Sequence, residues 1–121
     1  MYQVIYQEEH KIEIALTGEL TLDEFQQVIH QLESLCTTFG NINVLFDAVD
    51  LKSYAFKIIL DEYDFYKEYK DHLKRVAFVS DKMFANFMLT IFNKFADTEF
   101  KSFNGKEIED ARKWIFPSRL P

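Results

Sequence analysis

The chain has 121 residues, which is enough for one domain and too few for a second hydrophobic core. Apolar residues make up 48% of it and aromatic residues 17%, with three Gly and two Pro, so the composition excludes a disordered or low-complexity protein. Its net charge of −6 disfavours binding to nucleic acid, and its single cysteine, Cys36, excludes an internal disulfide.

Two short segments at the amino terminus predict a β-hairpin. Tyr2 to Tyr6 is rich in β-branched and aromatic residues, as strands are. Ile12 to Leu16 alternates apolar residues with Glu13 and Ala15, which is the period of a strand with one buried face. Glu8 to Lys11 would form the turn between these strands.

The next segment predicts a helix followed by a central strand. Thr21 and Glu24 have the spacing of a capping box, and apolar residues follow them at helical spacing. Gly40 is a suitable stop. The apolar run from Ile42 to Phe46 is typical of a strand that is buried on both faces.

The second half of the chain alternates helices with strands. In chain order it predicts a helix over 53–69, a strand over 75–79, a helix over 84–95, an edge strand over 98–103 and a last helix that Asn104 and Glu107 cap and Pro117 ends. The order β-β-α-β-α-β-α-β-α predicts a single α/β domain over residues 1–121, with a single-layer, mostly parallel five-stranded sheet and four helices.

The termini and the most apolar stretch predict the location of the protein. The amino terminus lacks the basic and apolar regions of a secretory signal. The stretch over 84–95 is too short and too often interrupted by polar residues to span a bilayer. We therefore expect a cytoplasmic protein without a transmembrane segment.

Several segments together are similar to one known family. They are Ile12 to Leu16 before Thr17-Gly18, Leu20-Thr21 at the start of the first helix, Asn43 to Phe46 before Asp47, Lys74 to Val79 before Ser80-Asp81, and Phe103 with Ala111-Arg112-Lys113-Trp114-Ile115. This pattern resembles the SpoIIAA-like family, which is related to STAS domains. The resemblance implies a small α/β fold, commonly a homodimer, and regulation through protein contacts, as in anti-anti-sigma proteins, rather than catalysis.

The same resemblance implies a phosphorylation site. In anti-anti-sigma members a phosphorylated Ser begins the helix after the third strand, and Ser53 lies in roughly that place. Those members carry an Asp-Ser-Ser/Thr-Gly run, whereas this chain reads Asp50-Leu51-Lys52-Ser53-Tyr54. A helix amino terminus would stabilise a phosphate on Ser53, although Asp47 and Asp50 would oppose its charge.

The residue patterns of common catalytic sites do not occur in the sequence. His10, His30 and His72 lie too far apart for zinc-ligand spacing, and the isolated glycines form no phosphate-binding loop. Asp47 and Asp50 follow a central strand, where open α/β sheets bind ligands, and they are a candidate polar site. We predict no enzyme, no cofactor and no metal.

The aromatic excess suggests a second function. Core packing accounts for the main apolar stripe of the two middle helices, but their flanking residues are harder to bury within one monomer. The candidate interface or apolar pocket consists of Phe65, Tyr69, Met83, Phe84, Phe87 and Met88. Members of the wider group resemble lipid-binding CRAL-TRIO domains. The alternative to a protein-interaction module is therefore a carrier of a lipid or another small apolar ligand.

Overall fold

The computed structural model describes residues 1–54, 64, 65, 67–80 and 98–117. Its strands are β1 (Tyr2–Glu8), β2 (Lys11–Leu16), β3 (Gly18–Leu20), β4 (Ile42–Asp47), β5 (Leu51–Tyr54), β6 (Leu73–Val79) and β7 (Glu99–Phe103). Its helices include α1 (Leu22–Phe39) and α2 (Ile108–Ile115), and a 3₁₀ turn over Gly105–Glu107 precedes α2. Residues 64, 65 and 67–69 are helical as well.

A mixed five-stranded sheet forms the centre of the fold, with the strand order β1-β2-β4-β6-β7. β1 pairs with β2 antiparallel through a tight turn in which Glu9 has a φ of 53°. All other neighbours in this sheet are parallel, because each pair is joined by a crossover rather than a hairpin. The predicted α/β class and the mostly parallel sheet are confirmed.

The predicted number of elements is wrong. The described residues contain seven strands instead of five, because β3 and β5 form a separate parallel pair. These strands have three and four residues, too few for a hydrophobic period to show. The helix predicted over 53–69 does not begin at Ser53, which lies in β5, and the helix predicted over 84–95 lies outside the described residues.

Helix α1 covers one face of the sheet. The predicted capping box is confirmed: the Glu24 N–H donates to Thr21 Oγ1 over 3.2 Å, and the Thr21 N–H donates to Glu24 Oε1 over 3.1 Å. Phe25, Val28 and Leu32 from the buried side of α1 join the core on this face of the sheet. Phe25 is 2% exposed, and the other two are fully buried.

Helix α2 covers the opposite face. Ala111 and Ile115 belong to a second core cluster with Leu45, Ala77 and Val79. The expectation that β2 has only one buried face is therefore wrong, since Glu13, between the buried Ile12 and Ile14, is itself fully buried. The sequence period could not show this, because it carries no information on where the last helix packs.

Candidate functional site

A hydrogen-bonded turn ends β4 at the carboxyl edge of the sheet. The Val49 N–H donates to Asp47 Oδ1 over 3.2 Å, and the Leu51 N–H donates to the Ala48 carbonyl over 3.2 Å. The Ala48 N–H donates to the Val79 carbonyl over 2.7 Å and so ties the turn to β6. The backbone of this turn is thus held by the sheet, which gives its outward side chains a defined position.

Of the two residues of the predicted polar site, Asp47 has a carboxyl with a shifted pKa. Burial raises the pKa of its carboxyl above the ordinary value, and the Val49 N–H partly offsets this by stabilising the carboxylate. The nearby charges of Glu13 and Asp50 raise the pKa further, whereas Arg112 lowers it. Asp47 is therefore close enough to Asp50 for their charges to interact. Asp50 itself is exposed, and its backbone carbonyl accepts a hydrogen bond from the Gly18 N–H.

Val49 presents an apolar side chain to solvent at the tip of the turn. It is 48% exposed, one of four large apolar side chains in the described residues with this degree of exposure. A Cβ added to Gly105, at the start of the 3₁₀ turn, would lie 3.5 Å from Val49 Cγ2, so the turn before α2 approaches Val49 closely. We call Asp47, Val49, Asp50 and Gly105 the carboxyl-end surface.

Ser53 is not at a helix start. It lies in β5, opposite Glu19 of β3 in the strand register, and it is exposed. The helix amino terminus that was expected to stabilise a phosphate on Ser53 is therefore absent at this residue. Its nearest neighbour across the strand pair is a carboxylate of the same sign as a phosphate.

A groove of about 450 Å³ lies between α1 and the helical residues 64, 65 and 67–69. Its lining includes three carboxylates, Glu33, Asp64 and Glu68, together with His30 and Phe65. Phe65 and Tyr69 are two of the residues predicted to line an apolar pocket, and both line this groove. The acidic lining differs from the predicted apolar one.

Phe65 and Tyr69 are held by contacts within the chain. Phe65 is 4% exposed and belongs to the core, so the expectation that it is hard to bury within one monomer is wrong. Its ring stacks on Tyr69 with a centroid distance of 4.9 Å. The Tyr69 hydroxyl donates to Glu33 Oε2 over 2.9 Å, and this bond to a carboxylate raises the pKa of Tyr69 to about 12. The other predicted pocket residues, Met83, Phe84, Phe87 and Met88, lie outside the described residues.

The sequence did not identify the buried ion pair between Glu13 and Arg112. Arg112 Nε lies 3.0 Å from Glu13 Oε1 and Arg112 Nη2 lies 2.9 Å from Glu13 Oε2, in a bidentate arrangement. Arg112 also bonds Glu109 on its own helix, and these carboxylates raise the pKa of the guanidinium. The one signal in the sequence was a charged residue between Ile12 and Ile14, which by itself indicates a solvent-facing position.

Cys36 belongs to the hydrophobic core on the face of the sheet that α1 covers. It is 6% exposed, and burial raises the pKa of its thiol to about 11, which disfavours the reactive thiolate. Across the described ranges, no three His, Cys, Asp or Glu side chains come together in a group that could hold a metal ion. Nor does any helix within those ranges have the length and apolar character to cross a membrane.

Comparisons with known proteins agree with this architecture. The family model of SpoIIAA-like proteins matches residues 11–116, and the chain belongs to this family. A solved structure of an uncharacterised DUF3478-family protein from Shewanella loihica PV-4, described as having a SpoIIAA-like fold, is 21% identical, with a TM-score of 0.71 over 95% of this chain and 92% of that chain.

A second solved structure is that of the anti-sigma factor antagonist SpoIIAA in its unphosphorylated form. It is 13% identical, with a TM-score of 0.60 over 93% of this chain and 96% of that one. Both likenesses show the fold. A comparison with curated proteins found no significant match.

Proposed function

We propose that the protein is a non-enzymatic interaction module that binds a protein partner at the carboxyl-end surface. The observation that carries this proposal is the 48% exposed Val49 side chain on a turn with two internal hydrogen bonds and a third that ties it to β6. An apolar side chain held in one position loses little conformational entropy on binding, and this favours recognition by a complementary surface. Asp50 beside it adds a charge that can orient the partner.

The family supports a function in protein contacts. One structural neighbour is called an anti-sigma factor antagonist, a name that describes action on a protein rather than on a small substrate. The described chemistry of this chain fits such a role, since its one cysteine is buried with a raised pKa and the Glu13 carboxylate is paired with Arg112. These groups stabilise the fold and are not directed at a substrate.

The test compares two charge substitutions at equally exposed apolar residues. Val49→Asp alters the carboxyl-end surface, and Phe39→Asp alters a side chain that is 45% exposed at the carboxyl end of α1. Tagged forms of the protein are recovered from the cells that make it, and the co-purified proteins are identified by mass spectrometry. We expect a specific partner to be lost with Val49→Asp and kept with Phe39→Asp, while the circular dichroism of both variants matches the original chain.

Two outcomes would contradict the proposal. In the first, the partner stays bound to Val49→Asp. In the second, both variants lose it equally, which would indicate a general effect of the added charge. The homodimer implied by the resemblance stays a prediction, and native mass spectrometry of the purified chain tests it directly.

Phosphorylation of Ser53 stays a prediction with reduced support. Ser53 is exposed and therefore accessible to a kinase, but Glu19 lies opposite it in the strand pair. The phosphate would thus enter a region of like charge. Binding of an apolar ligand also stays a prediction, because most of the residues named for it lie outside the described residues, and the groove lined by Glu33, Asp64 and Glu68 does not favour it.

A further inference from the structure

Two cations lie against the ring of Trp114 on α2. The Arg75 guanidinium carbon is 5.1 Å from the ring centroid, and Lys101 Nζ is 5.5 Å from it. Lys101 Nζ also lies 5.7 Å from the ring of Phe103. Aromatic faces attract cations at these distances, so the rings hold both side chains near one point of the surface. We call Arg75, Lys101 and Trp114 the cationic Trp surface.

The sheet register explains why these residues meet. Arg75 of β6 is paired with Glu99 of β7, and the following pair on the same face is Ala77 with Lys101. Arg75 and Lys101 are therefore diagonal neighbours on the face that α2 covers. Their Cα atoms are expected to lie about 7–8 Å apart. β7 is the last strand in the order of the described sheet, so this surface lies at the edge of the domain.

Arg75 is fixed by the backbone around it. Its Nη1 donates to the Trp114 carbonyl over 2.9 Å, near the carboxyl end of α2, and its own N–H donates to Asn43 Oδ1 over 3.2 Å. A guanidinium at this position satisfies one of the free carbonyls of the helix end. Arg75 thus positions the Trp114 ring. Lys101, in β7, is exposed and stays accessible to a partner.

The charge balance of this surface differs from that of the whole chain. The chain carries 20 acidic and 14 basic residues, yet in the described part of the chain this surface has two cations and one carboxylate in ion-pair contact with them, that of Glu99, at 3.8 Å from Arg75 Nε. Glu99 is 68% exposed, so solvent weakens its effect. No carboxylate of the described residues forms an ion pair with Lys101.

We propose that the cationic Trp surface binds an extended, acidic segment of a partner protein. Alternate side chains of an extended chain lie about 7 Å apart, which is close to the roughly 7–8 Å expected between the Cα atoms of Arg75 and Lys101. Two carboxylates at positions i and i+2 can therefore meet one cation each, while the exposed part of Trp114 packs on the chain between them. A nucleic acid or an anionic membrane is disfavoured, because both extend beyond the surface and meet the net charge of −6.

Trp114 is the single tryptophan of the chain, and its fluorescence reports directly on this surface. The probe is a short peptide of alternating Glu and Thr, and the matched control peptide has Gln in place of Glu. We expect a saturable change in Trp114 fluorescence with the Glu peptide that weakens as salt is added, and no change with the Gln peptide.

Three variants test which residues are responsible. Lys101→Glu should bind the Glu peptide about tenfold more weakly, because an attraction becomes a repulsion. Lys106→Glu makes the same charge change in the exposed 3₁₀ turn and should leave binding unaltered. Glu99→Gln removes the competing carboxylate and should strengthen binding.

The inference is overturned if the original chain gives no saturable response or if Lys106→Glu weakens binding as much as Lys101→Glu does. It is also overturned if single-stranded DNA or vesicles of anionic lipid bind at this surface and the Glu peptide does not. The carboxyl-end surface is a separate part of the fold, so Val49→Asp should leave peptide binding intact. The two proposals can therefore fail independently.

Discussion

The Glu13 carboxylate is completely removed from solvent, and Arg112 reaches it from α2 through a bidentate contact. Burying a carboxylate costs several kcal/mol, and the pair offsets this cost only while both partners are present. The contact joins β2 to a helix that begins almost a hundred residues later in the chain. This ion pair therefore links the sheet to α2 beside an apolar cluster.

Replacing Arg112 should show the cost of removing the guanidinium that contacts the buried Glu13 carboxylate. We expect Arg112→Leu to lower the free energy of unfolding by about 3–5 kcal/mol, measured by urea denaturation at neutral pH. The control is Glu109→Gln, which removes the exposed partner of Arg112 and should cost less than about 1 kcal/mol. A small effect of Arg112→Leu would contradict this expectation.

At the scale of single elements, α1 illustrates how a local signal defines a helix start. Thr21 accepts from the Glu24 N–H, and Glu24 returns a bond to the Thr21 N–H. The terminal amino group of Met1 lies 3.1 Å from Glu24 Oε2, and it contributes with the Thr21 bonds to the lowered pKa of this carboxyl. The capping box thus joins the amino terminus of the chain to the start of its first helix.

Removing the Thr21 side chain should destabilise the protein moderately. We expect Thr21→Ala to lower the free energy of unfolding by about 1 kcal/mol, because one N–H of the first turn loses its acceptor. Thr38→Ala is the matched control: its hydroxyl bonds the Ser34 carbonyl within the last turns of α1, and its loss should change stability by less than about 0.5 kcal/mol. Equal effects in thermal unfolding would contradict the importance of the cap.

Elements with a long period or a cap could be predicted from the sequence, and short ones could not. The first helix was recognisable from Thr21, Glu24 and the spacing of its apolar residues, and β4 from its nearly continuous apolar run. β3 and β5 were missed, because three or four residues do not establish a period and their stability comes from pairing with each other. Ser53 was misplaced for the same reason.

At the scale of the whole molecule, the fold depends on covering both faces of one sheet. α1 covers one face, and α2 with Phe116 covers the other. A sheet with one bare apolar face would expose Leu45, Ala77 and Val79 to water, which is unfavourable in proportion to the area exposed. The short carboxyl-terminal helix is therefore as necessary to the domain as its long first helix.

Removing α2 should abolish cooperative folding. A chain that ends at Asn104 loses the apolar cover of the second face and leaves Glu13 without its guanidinium. We expect it to bind the dye ANS and to show no sharp thermal transition in near-ultraviolet circular dichroism. As a control, Asp110→Ala with Lys113→Ala keeps the helix and removes only exposed side chains, so it should unfold cooperatively. A cooperative transition in the shortened chain would refute this expectation.

The sequence by itself determined the fold class, the parallel arrangement of the central strands and the cap of the first helix. These properties follow from local spacing and composition, which the chain carries wherever it packs. Tertiary structure alone decided that Glu13 is buried, that Ser53 lies in a strand, and that Arg75 and Lys101 meet at Trp114. Those outcomes depend on strand order and helix placement, which bring together residues far apart in the chain.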